Sequence, residues 1–253
     1  MLIFSLVKNL DSSDNRAILV LQAIQLQPVK SIIIISATIM TFSLFACGQK
    51  KDDKTFQVFN EGVTLNLNSI AEQDKGNFEK AVSLNKQSIE KFKETLRLDS
   101  THPVVRSALA HGLYIDKQFK EAIYWFSQAN KVNSEAAANY REMGLCKINL
   151  GQIKEGKADI DKAFSMDATK EIREITIQDL VDVGQLAFEY GEGYIGQGEP
   201  EKGKAYKEFA VGVLMLAYDY DKSKKAIAST VADFAGKLGD KETSMKYKSF
   251  AEQ

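Results

Sequence analysis

Two histidines, two cysteines and a scatter of acidic pairs are the groups through which this chain could do chemistry, and their spacing limits what they can do. His102 precedes Pro103 in a turn, and His111 falls about two turns along the helical segment that follows. Lying on a turn and a helix, they do not form the i, i+4 ligand pair of a helical metal site. His102 reads as structural or solvated, and His111 as a groove-lining residue. Cys146, beside Leu145 on an amphipathic stretch, reads as a buried thiol without an activating environment. Asp159/Asp161, Asp219/Asp221 and Glu189/Glu192 have the form of catalytic carboxylate pairs, but a chain with 26% charged residues produces such pairs on solvated helix faces. Gly191-Glu192-Gly193-Tyr194-Ile195-Gly196 is glycine-dense. It follows a helical segment rather than a strand and lacks the Gly-Lys-Ser/Thr ending, which argues against a phosphate loop. No nucleophile elbow or Ser/His/Asp order occurs. The reading is a non-enzyme with no catalytic residues, no metal and no cofactor.

Composition supports this. Across 253 residues, 33 Lys+Arg stand against 34 Asp+Glu, for a net charge of −1. Binding to phosphate backbones needs a net basic face, so nucleic acid is excluded as the main partner. Two cysteines cannot build a disulfide scaffold or a four-cysteine zinc site. Three prolines in a 44% apolar chain favour helices over loops.

The N-terminus reads as an address. Lys30 is followed by an uncharged stretch, Ser31 to Ala46, and then by Cys47. The stretch is short for a membrane-spanning helix. Its ending, Leu44-Phe45-Ala46-Cys47, resembles the lipobox of bacterial lipoproteins, with Phe45 bulkier than the usual residue. The resemblance implies cleavage before Cys47, acylation of its thiol, and fatty acids such as palmitate holding the mature chain to a membrane. The competing reading is an uncleaved anchor with an incidental cysteine. Residues 1–46 are thus signal peptide and N-terminal extension. Asp11, Asp14 and Arg16 sit oddly ahead of a signal core, and translation from Val29 would give a conventional short signal. Residues 47–55 read as a lipidated flexible tether. Gly48 after the cysteine favours the outer membrane by resemblance to lipoprotein sorting. The Lys-Asp-Asp cluster resembles the surface-export tag of Bacteroidetes-type lipoproteins.

Residues 56–253 carry internal repetition. Pro103–Ala136 and Ala137–Lys170 are adjacent 34-residue blocks that align without gaps, and Gly184–Ala217 is a third. Leu109, Ala110, Leu113, Ala122, Phe126 and Ala129 of the first match Met143, Gly144, Lys147, Gly156, Ile160 and Ala163 of the second. Tyr190, Gly191, Tyr194, Gly203 and Ala210 continue the pattern in the third. Small residues at fixed positions mark helix crossings, because backbones approach closely only where a side chain is absent or short. The pattern resembles the tetratricopeptide repeat, with Lys147 and Lys207 as departures whose stems can cover apolar surface. Asn77 and Asp240 read as helix N-caps. The expectation is an all-α, α–α superhelix of about five helix pairs. These are 56–74 with 77–98, 103–116 with 119–132, 136–150 with 153–166, 170–197 with 200–219, and 222–238 with 241–252.

That resemblance implies a binding groove on the first helices of the pairs. Its register selects Ser107, His111 and Tyr114, then Arg141, Leu145 and Asn149, then Phe188 and Glu192. Arg141, with five donors on a rigid fork, is the expected anchor for a carboxylate or carbonyl. The lysine/asparagine clamp for a C-terminal carboxylate is missing, which argues against that ligand class. The function expected is an envelope lipoprotein, held at the outer membrane through Cys47, that scaffolds an unidentified protein or peptide. The alternative is a periplasmic or surface subunit that binds a small molecule or glycan.

Overall fold

The computed structural model describes residues 53–132 and 136–253. Cys47, its lipobox, the 1–46 extension and all but the last residues of the 47–55 tether lie outside the described residues. Ten helices and no strand occur among those described. They run α1 Asp53–Asp74, α2 Phe78–Leu98, α3 Val105–Ile115, α4 Phe119–Val132, α5 Ala137–Asn149, α6 Ile153–Met166, α7 Lys170–Gly196, α8 Pro200–Tyr220, α9 Lys225–Lys237 and α10 Lys241–Glu252.

Consecutive helices pair as five hairpins, and each hairpin packs mainly on the next. This is an all-α, TPR-like array. The first helices α1, α3, α5 and α7 also touch from one hairpin to the next; among the second helices α6 and α8 do so. α9 starts three residues later than expected. Asp221 accepts hydrogen bonds from the Ser223 backbone N–H (3.0 Å) and hydroxyl (2.6 Å), which holds the connection in a non-helical turn.

One turn closes every hairpin. Gly76, Lys117, Gly151, Gly198 and Gly239 each adopt positive φ. The next residue's N–H bonds back to a carbonyl five residues earlier: Asn77 to Glu72, Gln118 to Leu113, Gln152 to Lys147, Glu199 to Tyr194 and Asp240 to Ala235. This is the Schellman arrangement, which satisfies carbonyls a helix end would otherwise orphan. Lys117, at φ 59°, is the one non-glycine residue in that conformation among those described. Asp240 caps α10 by accepting from Thr243 N–H at 3.0 Å. Asn77 does not cap α2; its amide donates to Glu72 at 2.8 Å instead, tying the turn to the end of α1.

The small positions mark helix crossings. A Cβ on Gly144 would stand 2.7 Å from the Gly156 carbonyl oxygen and 2.8 Å from Ile160 Cγ1. One on Gly203 would stand 2.5 Å from the Gly191 oxygen, so the third block repeats the contact. The two lysine departures are each neutralised. Lys147 pairs with Asp159 at 2.5 Å. Lys207 pairs with Glu192, its ammonium 4.7 Å from the centre of the Phe188 ring.

The apolar interior forms two main clusters. The N-terminal one joins Phe59, Ile89, Phe92, Leu109, Leu113 and Phe126 to Met143 and Cys146 of α5. The C-terminal one begins with Leu145 and Ile148 of the same helix and continues through Ile160, Leu180, Leu214 and Val231 to Tyr247. α5 therefore serves both clusters, and Tyr114 packs against each.

Candidate functional site

Where the clusters meet, α3, α5 and α7 bring polar side chains together inside the array. His111 and Tyr114 share a face of α3, as do Thr176 and Asp179 of α7, because residues three apart are neighbours on a helix. Between them, α5 contributes Arg141 and Glu142. His111 Nδ1 lies 2.9 Å and 3.0 Å from the two Glu142 oxygens. Arg141 Nε donates to Thr176 Oγ1 at 3.1 Å, and its Nη2 binds Asp179 in a short ion pair. Nη1 lies 4.0 Å from Glu142, and the Thr176 hydroxyl donates to the Ile172 carbonyl at 2.6 Å. Towards the N-terminus, Asn85 donates to the Gly112 carbonyl at 2.9 Å and receives a bond from Asn66 at 3.4 Å. A buried polar seam thus runs from α1 to α7.

Burial and charge compete within the seam. Burial disfavours the His111 imidazolium, but the charge and hydrogen bond of Glu142 outweigh it and raise the His111 pKa overall. For Asp179 burial wins, lifting the carboxyl to about 6 against the pull of Arg141. Burial, reinforced by the Asp179 charge, raises the Tyr114 phenol well above its ordinary range. The Cys146 thiol is likewise pushed up by burial and by Glu142, so the thiolate is suppressed. The seam's charges are spent on one another, which suits a clamp between helices.

The expected groove residues divide accordingly. His111, Tyr114 and Arg141 do come together, but Arg141 is 3% exposed and its fork is occupied by Thr176 and Asp179. It is a structural cation rather than a ligand anchor. Leu145 is fully buried in the C-terminal cluster. Ser107 and Asn149 stay partly exposed, Asn149 donating to the Leu145 carbonyl at 2.9 Å. Phe188 and Glu192 lie apart from the seam. Phe188 is 4% exposed and stacked on Phe234 of α9 at 3.7 Å, while Glu192 is exposed and paired with Lys207. α7 has the length expected of it, but the period does not reveal which of its faces packs inward. Its first half faces α5, and Phe234 of α9 covers Phe188, while Glu192 stays exposed.

Glu142, Thr176 and Asp179 were not anticipated. Thr176 and Asp179 sit three apart within the apolar run Ile175-Thr176-Ile177-Gln178-Asp179-Leu180-Val181, a signal that polar groups enter a packed face. His102 is buried with its ring 4.4 Å from Phe59. The acidic pairs separate onto different partners: Asp159 onto Lys147, Asp161 onto Lys157 and Tyr220, and Asp221 onto Ser223. No cluster of three His, Cys, Asp or Glu among the described residues could hold a metal. Among the described residues no helix is long and apolar enough to cross a membrane.

The hairpins, their shared turn and the 34-residue crossing points define a TPR-like helical repeat fold. No family model matches the chain. Sperm-associated antigen 1 of Rattus norvegicus is 43% identical over 53 residues, and that of Mus musculus 40% over 52; each match covers 21% of this chain. The chain spans only 6% of the length of these curated relatives. Among solved structures, MamA aligns at a TM-score of 0.40 with 13% identity, over 72% of this chain and 91% of MamA. The APC/C hetero-tetramer Cut9–Hcn1 aligns at 0.37 with 10% identity, over 86% of this chain and 48% of the other.

Proposed function

We propose that this protein is a cell-envelope scaffold that presents the row of first helices α3, α5 and α7 to a partner protein and is held at the outer membrane through lipidated Cys47. The observation that carries the scaffold reading is the polar seam. It fixes three helices of successive hairpins side by side, giving an extended and preorganised surface of the kind that binds peptide segments. Ser107 and Asn149 are the accessible members of that row. Arg141, His111 and Leu145 support it from beneath. Lipid anchoring rests on the Leu44–Cys47 motif; two or more acyl chains suffice for stable attachment, whereas the charged tether alone supplies none. A photo-crosslinker at position 149 in intact cells should capture a partner that the same group at exposed Tyr124 on α4 does not. Cys47→Ser should abolish incorporation of labelled fatty acid and membrane attachment. Equal capture from both positions would exclude the first-helix row, and normal labelling of the Cys47 variant would exclude the anchor.

A further inference from the structure

The last hairpin bears a second site, away from the seam. Where α8 ends and α9 begins, the chain meets the end of α10 around a cleft of about 410 Å³, within the range of ligand-sized cavities. Its floor is aromatic. Tyr218 lies parallel to Phe250 at 5.9 Å, and Tyr247 stands edge-on to both at 5.6 and 5.4 Å. Its rim is cationic: Lys222 comes from the α8–α9 connection, Lys225 from the start of α9 and Lys246 from α10. None of the three ammonium groups lies within ion-pair distance of a carboxylate among the described residues. Asp219 is the one acidic side chain lining the cleft. Tyr247 is 3% exposed, and its hydroxyl is not sealed from solvent.

We infer that this cleft binds an acidic peptide segment carrying one aromatic side chain. The ring packs on the aromatic floor, a peptide oxygen accepts the Tyr247 hydroxyl proton, and flanking carboxylates meet the lysines. Three cations on a connection and two helices call for more than one carboxylate, which distinguishes a peptide from a single aryl acid. Tyr218 and Tyr247 are only 6% and 3% exposed, so the apolar surface is recessed beyond the reach of a flat bilayer. The site rests on observations independent of the first-helix row.

Calorimetric titration with blocked Glu-Glu-Phe-Glu-Glu tests the assignment. Binding should weaken at least tenfold in Lys222→Glu/Lys246→Glu, whose exposed positions leave the fold intact, as an unchanged melting curve would verify. It should weaken similarly when the phenylalanine is replaced by alanine in the peptide, and it should persist in Asn149→Arg on the first-helix row. Absence of binding, indifference to the charge reversals, or loss in Asn149→Arg would overturn the proposal. So would equal affinity for 3-phenylpropionate, or binding to phosphatidylglycerol vesicles in place of the peptide.

Discussion

Arg141 illustrates how a residue type can be identified correctly and its role misplaced. A guanidinium on a first helix suggests a ligand anchor, yet its obligations are met inside the molecule by Thr176 and Asp179. Removing one partner from a buried pair leaves an uncompensated charge, so Arg141→Ala should cost about 3–5 kcal/mol of stability. That loss is measurable by urea denaturation, and a variant as stable as the parent would mean that the seam carries no weight. The seam also predicts a pH dependence. Asp179 titrates at about 6 in the folded chain against an ordinary 3.8, so the stability associated with its protonated form is present below 3.8 and lost as pH rises through 6. The folded His111 pKa is raised above 6.5; its contribution holds below that value and disappears as pH climbs past the folded pKa. Both act in one direction, so the melting temperature should fall between pH 4.5 and pH 8. The lowered carboxylates Glu72, Asp221 and Asp240 lose their contribution only below that window. Asp179→Asn should flatten the lower half of the slope and leave the upper half.

Hairpins were more legible in the sequence than contacts. Glycine-containing turns and two ungapped 34-residue blocks place the helix ends to within a few residues. Steric exclusion at small residues identifies the crossings without knowledge of the partner helix. The expected helix 170–197 matches α7, but side-chain direction beyond the clean blocks was not legible, because residues 171–183 lie outside the period and nothing local reveals which face meets α5. Phe188 was expected on an open face for that reason, whereas it stacks on Phe234 of α9; Glu192 stays exposed. Two substitutions test the elements. Gly144→Leu forces a side chain against the Gly156 carbonyl and should cost at least the roughly 1–3 kcal/mol typical of overpacking. Amide exchange should show the loss concentrated in the hairpins that flank α5 and α6; parent-like melting would place the crossing elsewhere. Lys117→Gly acts the other way. A side chain in the left-handed region costs about 1–2 kcal/mol, against roughly 0.5–1 kcal/mol for the extra freedom of unfolded glycine. The variant should therefore melt slightly higher, and a lower melting temperature would show that the Lys117 side chain contributes contacts that outweigh its strain.

At the scale of the whole molecule, repetition conceals a division. Five similar hairpins suggest one continuous stack, but the apolar interior separates into a cluster spanning α1 to α5 and another spanning α5 to α10, with the polar seam beside their junction. In such arrays each unit depends mainly on its neighbours, so cooperativity between distant hairpins passes through each interface in turn. With the seam intact, unfolding in urea should follow a single transition by both helicity and Trp125 fluorescence, which reports the N-terminal half. In Arg141→Ala the two probes should separate, the tryptophan signal and the total helicity changing at different urea concentrations. Coincident curves would mean that apolar packing along α5 alone couples the halves. The same helix has a mechanical meaning. If the chain is tethered at its N-terminal side and grips a partner near the end of α10, tension runs through the hairpins in series and must cross α5. A pull along that line tests the junction before it unravels any single hairpin, so the two halves would part as units, and the seam would set the force at which they do.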